Sequence, residues 1–277
     1  MVQVKLLKKM ESSQVPYFSI SHPGKVRLNN EDRLAVQSYI TVDQSSRHVL
    51  LAVLCDGVGG NRAGEVAAQI GVDTIVDSVS NINSLDEPQI ALKEIVIAAN
   101  LAVLKASAGK SEFEGMGATC ICAVLVEKRL YLANLGDSRA YLLRRPTIRQ
   151  LNYDHTWMEE ETIKTDSLDH KRIPRNHPLS HVLSRYLGSP HPARVDMRLR
   201  AVRKTFRNDA AALEWLDLRH GDQILLCSDG LTDMLTDREI RIGIKGKIIN
   251  EDGDRLVQMA LKKGGVDNIS VILFKIP

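Results

Sequence analysis

The sequence predicts an α+β fold in which helices pack over antiparallel sheet. Strand-like runs follow one another as hairpins, the two longest helix-like stretches are consecutive, and the strand–helix–strand alternation of a parallel sheet is not seen. Runs rich in Val, Ile and Leu at 49–54, 119–126, 130–135, 140–143, 223–227 and 269–274 read as strands. The polar turn Glu127-Lys128-Arg129 joins the second and third as a hairpin. Residues 62–79 place Val66, Ile70, Val72 and Ile75/Val76 near one helical face. Residues 88–106 do the same with Ile90, Leu92, Ile95, Val96, Ala99 and Val103, behind a proline suited to a first turn. A shorter helix is expected over 254–263, ended by Gly264-Gly265. The stretch at about 152–212 is irregular, with Pro174, Pro178, Pro190 and Pro192, and reads as a surface flap.

The 277 residues make one large domain or two small ones. Aromatics are 4%, so the core must be aliphatic, and a base-stacking nucleic-acid platform is disfavoured. Cys55, Cys120, Cys122 and Cys227 all sit in apolar runs and lack paired zinc-ligand spacing. The first ten residues hold no signal-peptide core, and the longest apolar run, 118–126, is far short of a membrane span. The expectation is a cytoplasmic protein in a reducing compartment. Between Lys171 and Arg207 there are ten Lys or Arg against one acid, Asp196, on a chain of net charge +3. That segment reads as a solvated surface, as a device steering anionic substrates, or as contact with nucleic acid or an acidic partner protein, the nucleic-acid version being weakened by the prolines and scarce aromatics.

The acids carry the chemical signal. Carboxylates with turn-forming neighbours lie at the ends of apolar strands: Glu31-Asp32, Asp56-Gly57, Asp229-Gly230 and Asp267-Asn268. One such turn carries no weight. Several converging would repel one another unless cations neutralised them, and all-oxygen ligation favours Mg²⁺ or Mn²⁺. Glycine beside the carboxylate lets the backbone turn sharply, so that a carbonyl can also ligate.

Six blocks, GKVRLNNED (24–32), LCDGVGGNRAGE (54–65), GATC (117–120), LGDSRAYLL (135–143), LLCSDGLTDML (225–235) and GGVDNISVIL (264–273), span nearly the whole chain. In kind and order they resemble the PPM/PP2C-type metal-dependent protein serine/threonine phosphatases, in their compact bacterial form. LNYDHTW (151–157) and HPLSHVLSRYLG (177–188) match more weakly. The resemblance implies a four-layer αββα sandwich, two central antiparallel sheets flanked by helices, over a single domain at 1–277 with a variable flap at about 152–212. It implies that Asp56 bridges two metal ions, that the Gly57 carbonyl binds one, and that Asp229 and Asp267 bind the other. Glu31 and Asp32 would act on the metals through water, Arg27 would hold the substrate phosphate, and Asn268 would support the set. Asp137 would serve with Asp229 at a third, weaker metal site. The implied cofactors are two Mn²⁺ or Mg²⁺ ions per chain, with a weakly bound third. The implied reaction is hydrolysis of phosphoserine and phosphothreonine in proteins, by a water activated between two metals attacking phosphorus directly. The implied partners are phosphorylated proteins, among them a serine/threonine kinase or its substrates, met by a monomer away from membranes.

The chain departs from the family pattern in places. Asn61 stands where a histidine is usual, His22-Pro23 where an aspartate is common, and His181 where an arginine is frequent. These departures keep a pseudo-phosphatase open as the alternative, binding phosphoproteins with weak or no turnover. A cysteine phosphatase is disfavoured, because Cys55 and Cys227 each adjoin an acidic residue that would raise a thiol pKa. His155 reads as a surface or turn histidine, with positioning or proton transfer as the other reading.

Overall fold

The structure is a computed structural model that describes residues 5–58, 63–157, 159, 182–200 and 215–277. Asn61, His170, His177, His181 and about half of the basic segment therefore lie outside the described residues, as does much of the expected flap.

Among the described residues two large antiparallel sheets stand face to face. The first has the order β1-β3-β4-β7-β8-β11: β1 is Leu7–Lys9, β3 Arg33–Thr41, β4 His48–Cys55, β7 Cys120–Val126, β8 Arg129–Leu135 and β11 Leu216–Asp217. The second has the order β10-β9-β12-β13-β2: β10 is Thr147–Gln150, β9 Arg139–Arg144, β12 Gln223–Cys227, β13 Ile269–Lys275 and β2 Tyr17–His22. Two short strands, β5 (Gly57–Val58) and β6 (Gly117–Ala118), form a separate ribbon.

Side-chain alternation builds the layers. Leu50, Ala52 and Leu54 of β4 meet Ile224 and Leu226 of β12 and Ile272 of β13 between the sheets. Their neighbours Val49, Leu51, Val53 and Cys55 face the opposite way, onto helices α1 (Gly64–Ser80) and α2 (Pro88–Ser107). Beyond the second sheet, Leu225, Cys227, Val271 and Leu273 pack on α3 (Asp229–Thr232), α4 (Asp237–Gly243) and α5 (Ile249–Lys262). The result is the four-layer αββα order. The β7–β8 hairpin turns where expected, with Val126 opposite Arg129 and Glu127 at φ 55°.

Several features differ from the sequence expectation, among them the short strands β1, β5, β6, β10 and β11 and the helix α4, which it did not include. Strands β2 and β3 go beyond the sequence expectation: Phe18-Ser19-Ile20-Ser21 carries a period-2 alternation too short to stand out, and Gln37-Ser38 interrupts the apolar pattern of β3. Helix α5 begins at Ile249 rather than at 254. Gly253 reads as a weak helix position, yet a Cβ there would stand 2.0 Å from the Phe18 ring, so packing against β2 demands glycine. The part of the flap that is described is also not detached: Leu187 exchanges backbone hydrogen bonds of 2.7 and 3.1 Å with Ala118 of β6, and its side chain is buried.

Candidate metal centre

Strand register brings the acids together. Arg33 pairs with Cys55, which sets Asp32 beside Asp56. Cys227 pairs with Arg139 on one side and Val271 on the other, so the loops holding Asp137 and Asp267 flank Asp229. Ile269 pairs with His22, which starts the loop carrying Arg27 and Glu31 beside Asp267. Glu31, Asp56, Gly57, Asp137, Asp229 and Asp267 all line one cavity of about 470 Å³, with Arg27 and Asn268. Asp32 does not line it. It is buried beside Asp56, where the Ser228 hydroxyl donates to it at 2.9 Å.

The turns are fixed by close backbone approaches. The N–H of Asp56 donates to Thr119 Oγ1 at 3.0 Å, its C=O accepts from the Thr119 N–H at 2.8 Å, and Thr119 Oγ1 meets Ser138 Oγ at 2.8 Å. One threonine thus ties the Asp56 turn to the Asp137 turn. A Cβ on Gly57 would lie 2.5 Å from Gly64, and one on Gly230 would lie 2.0 Å from the Asn268 carbonyl. Asn268 is the hub of the third turn. Its Oδ1 accepts from the Glu31 N–H at 2.8 Å, and its Nδ2 donates to the carbonyls of Pro23 (3.0 Å) and Asn29 (2.9 Å).

The electrostatics are those of acids held together without enough positive charge. Burial, then the neighbouring carboxylates, push Asp56 and Asp229 well above the ordinary carboxylate range. Burial also raises Asp32, although hydrogen bonds from Ser270 and Ser228 offset part of that, and its Oδ1 has no partner. Glu31 is raised by burial, against the pull of Arg27. Asp137 is raised to about 6, mainly by burial and then by Asp154. Arg27 is the one guanidinium among the described lining residues, and it donates to Asp267 at 2.5 Å. Among the described residues, no three His, Cys, Asp or Glu side chains are already drawn around a common point as a metal site. The donor chemistry nonetheless fits a hard divalent cation: the donors are all oxygen and line one cavity, and they carry more negative charge than Arg27 offsets.

The chain matches the sequence profile of protein phosphatase 2C over residues 25–264. It belongs to the protein phosphatase 2C family. It is 31% identical over 254 residues to the serine/threonine phosphatase stp of Listeria monocytogenes, covering 90% of this chain and 91% of that protein. The solved serine/threonine phosphatase Stp1 from Staphylococcus aureus superposes with a TM-score of 0.76 at 29% identity, over 95% of each chain. The catalytic domain of the serine/threonine protein phosphatase PstP, solved in complex with two manganese ions, superposes with a TM-score of 0.72 at 28% identity, over 94% of this chain and 97% of that one.

For this family member, sequence reasoning passed over several residues. Asp233 lies one helical turn after Asp229 and adds to the negative field on both Asp229 and Asp137; its i, i+4 spacing from Asp229 was the available signal. Thr119, Ser138 and Ser228 gave none, because their roles are bonds between distant strands. His155 is neither a surface residue nor part of the cavity wall. It is buried, its Nδ1 accepts from the Gly136 N–H at 3.1 Å, and its Nε2 lies 3.3 Å from Asp196, so it braces the Asp137 turn against the flap. The thiols are buried and free. Cys227 is pushed up to about 12, but burial rather than an adjacent acid is the main cause.

The raised acids fix a pH dependence. Their protonated forms persist in the folded protein above the unfolded value near 4. The stability they permit in metal-free protein is therefore full below about pH 4 and is lost as pH rises past the Asp137 value of about 6. Asp43 and Glu239, lowered to about 2 by their hydrogen bonds, act only at more acid pH. Cations compete with protons for the same oxygens. The gain in melting temperature from Mn²⁺ over EDTA is expected to be larger at pH 7.5 than at pH 5.5. Differential scanning fluorimetry checks this, and an equal gain at both values would contradict it.

Proposed function

We propose that this chain hydrolyses phosphoserine and phosphothreonine in proteins, as a single phosphatase domain over 1–277 with an insert at about 152–212. The observation that carries this is the gathering of five carboxylates around one cavity, with a single guanidinium among the described lining residues, in a chain of the protein phosphatase 2C family.

Asp56, the Gly57 carbonyl, Asp229 and Asp267 are the residues that would hold two divalent cations, Mn²⁺ or Mg²⁺, with Glu31 and Asp32 acting through water. Asp137, beside Asp229 and Asp233, would hold a weaker third. When bound, such cations supply Lewis acidity, which lowers the pKa of water and neutralises charge on a phosphoryl group. The chain supplies position. Thr119 and Asn268 hold three turns in register, so the acids need little reorganisation. Arg27 is largely exposed at the cavity mouth and can exchange Asp267 for two phosphoryl oxygens, which its planar fork suits. Asp32, beside Asp56 and bonded by Ser228, fixes the orientation of the Asp56 carboxylate. The thiols are buried, and those of Cys55, Cys122 and Cys227 have raised pKa values, so they take no part as nucleophiles.

Purified protein with Mn²⁺ is expected to hydrolyse p-nitrophenyl phosphate and a phosphothreonine peptide, and excess EDTA is expected to abolish both activities. Hydrolysis unaffected by EDTA would refute the metal-dependent reading.

A further inference from the structure

Two apolar side chains stand in water at the mouth of the acidic cavity. Leu28 is fully exposed and Val26 is 64% exposed, one on each side of Arg27. Both line the same cavity as Asp56, Asp229 and Asp267, and half-buried Val58 and Leu183 line it as well. Single exposed apolar residues are ordinary on a protein surface. These two are not loose, because the loop that presents them is clamped at both ends. Asn268 grips Pro23, Asn29 and Glu31, and the Lys25 N–H donates to the Gly265 carbonyl at 2.7 Å. Gly24, at φ 78°, lets the loop lie so close to Asp267 that a Cβ would come within 2.2 Å of its carbonyl oxygen. A rigid loop that holds aliphatic groups in water has already lost the freedom that binding would otherwise remove.

We infer that Val26 and Leu28, with Val58 and Leu183, form a specificity rim that selects substrate segments with an aliphatic or aromatic residue next to the phosphorylated serine or threonine. The inference rests on the phosphatase reading and deepens it. A phosphorylated side chain reaching the acidic floor leaves its flanking residues at the mouth. The apolar groups at the mouth decide which flank fits. An apolar flank covers Leu28 and Val26 and gains by leaving water, whereas a charged flank would have to shed its own hydration to lie against them.

The test uses the full chain with Mn²⁺ and three phosphothreonine peptides that differ only in the residues adjacent to phosphothreonine: Leu, Ala or Glu. The wild type is expected to prefer Leu over Ala by roughly tenfold in kcat/KM, with Glu lower still. Leu28→Ser is expected to bring the Leu-to-Ala ratio close to one while leaving hydrolysis of p-nitrophenyl phosphate unchanged. Leu28 is wholly exposed, so this variant removes no core contact. Fluorescence anisotropy on labelled versions of the same peptides supplies a readout independent of turnover. The same ranking in Kd without hydrolysis would defeat the phosphatase reading and uphold the rim. Equal kcat/KM and equal Kd for the Leu and Ala peptides, or a ratio untouched by Leu28→Ser, would overturn the rim while the phosphatase reading stood.

Discussion

Asp56→Asn is expected to lower kcat for p-nitrophenyl phosphate and for a phosphothreonine peptide by at least about a thousandfold, and also to raise the stability of the protein in EDTA. The two effects share one cause. Asp56 is half-buried on the cavity wall, and burial first, then Asp32, Asp229, Asp137 and Asp267, raise its pKa. With no cation present, its charged form is costly; asparagine keeps the shape and removes the charge. The expected gain is on the order of 1–3 kcal/mol, the scale of an uncompensated buried polar group. The variant should also lose most of the Mn²⁺-dependent rise in melting temperature, because the central carboxylate is gone. Melting curves in EDTA and in Mn²⁺, run beside the assays, check both halves. An Asp56→Asn protein that keeps both turnover and the full Mn²⁺ shift would remove Asp56 from the centre of the site.

Asn268→Ala is expected to destabilise the protein by about 2–4 kcal/mol and to cut kcat/KM by roughly 10–100-fold. Three hydrogen bonds depend on this nearly buried amide, and its removal strands the Glu31 N–H and two carbonyls. The loop bearing Arg27 and Glu31 then loses its seat beside Asp267. Asn268→Asp is the sharper probe. It keeps the acceptor for Glu31, loses both donors and adds a charge to an acidic cavity. Denaturant titration with parallel kinetics checks the prediction, and a variant with unchanged midpoint and unchanged kcat/KM would show that the loop holds itself.

Not every site residue was visible in the sequence to the same degree. Asp56, Asp229 and Asp267 stood out because each closes or opens an apolar strand beside a turn residue. All three line the cavity. Asp32 looked equivalent to Glu31 in sequence, yet it lies buried beside Asp56, because β3 begins at Arg33 and turns Asp32 inward. Arg27 and Asp267 were assigned separate tasks and are found bonded to each other. His155 gave no sign of burial, since the chain that covers it, around Asp196, comes 41 residues later.

The sequence by itself determined the main strands and the kind of chemistry to expect of this protein. Continuous apolar runs at 49–54, 223–227 and 269–274 mark strands buried on both faces, and the strand-end acids point to an oxygen-rich, cation-seeking site. Those signals are local, carried by residues a few positions apart. Only the tertiary structure decided that these acids share one cavity, that Thr119 and Asn268 lock its turns, and that Leu28 stands bare at its mouth. Each of those facts depends on hydrogen-bond register between strands far apart in the chain, and a one-residue slip in any of them would turn the acid away from the site.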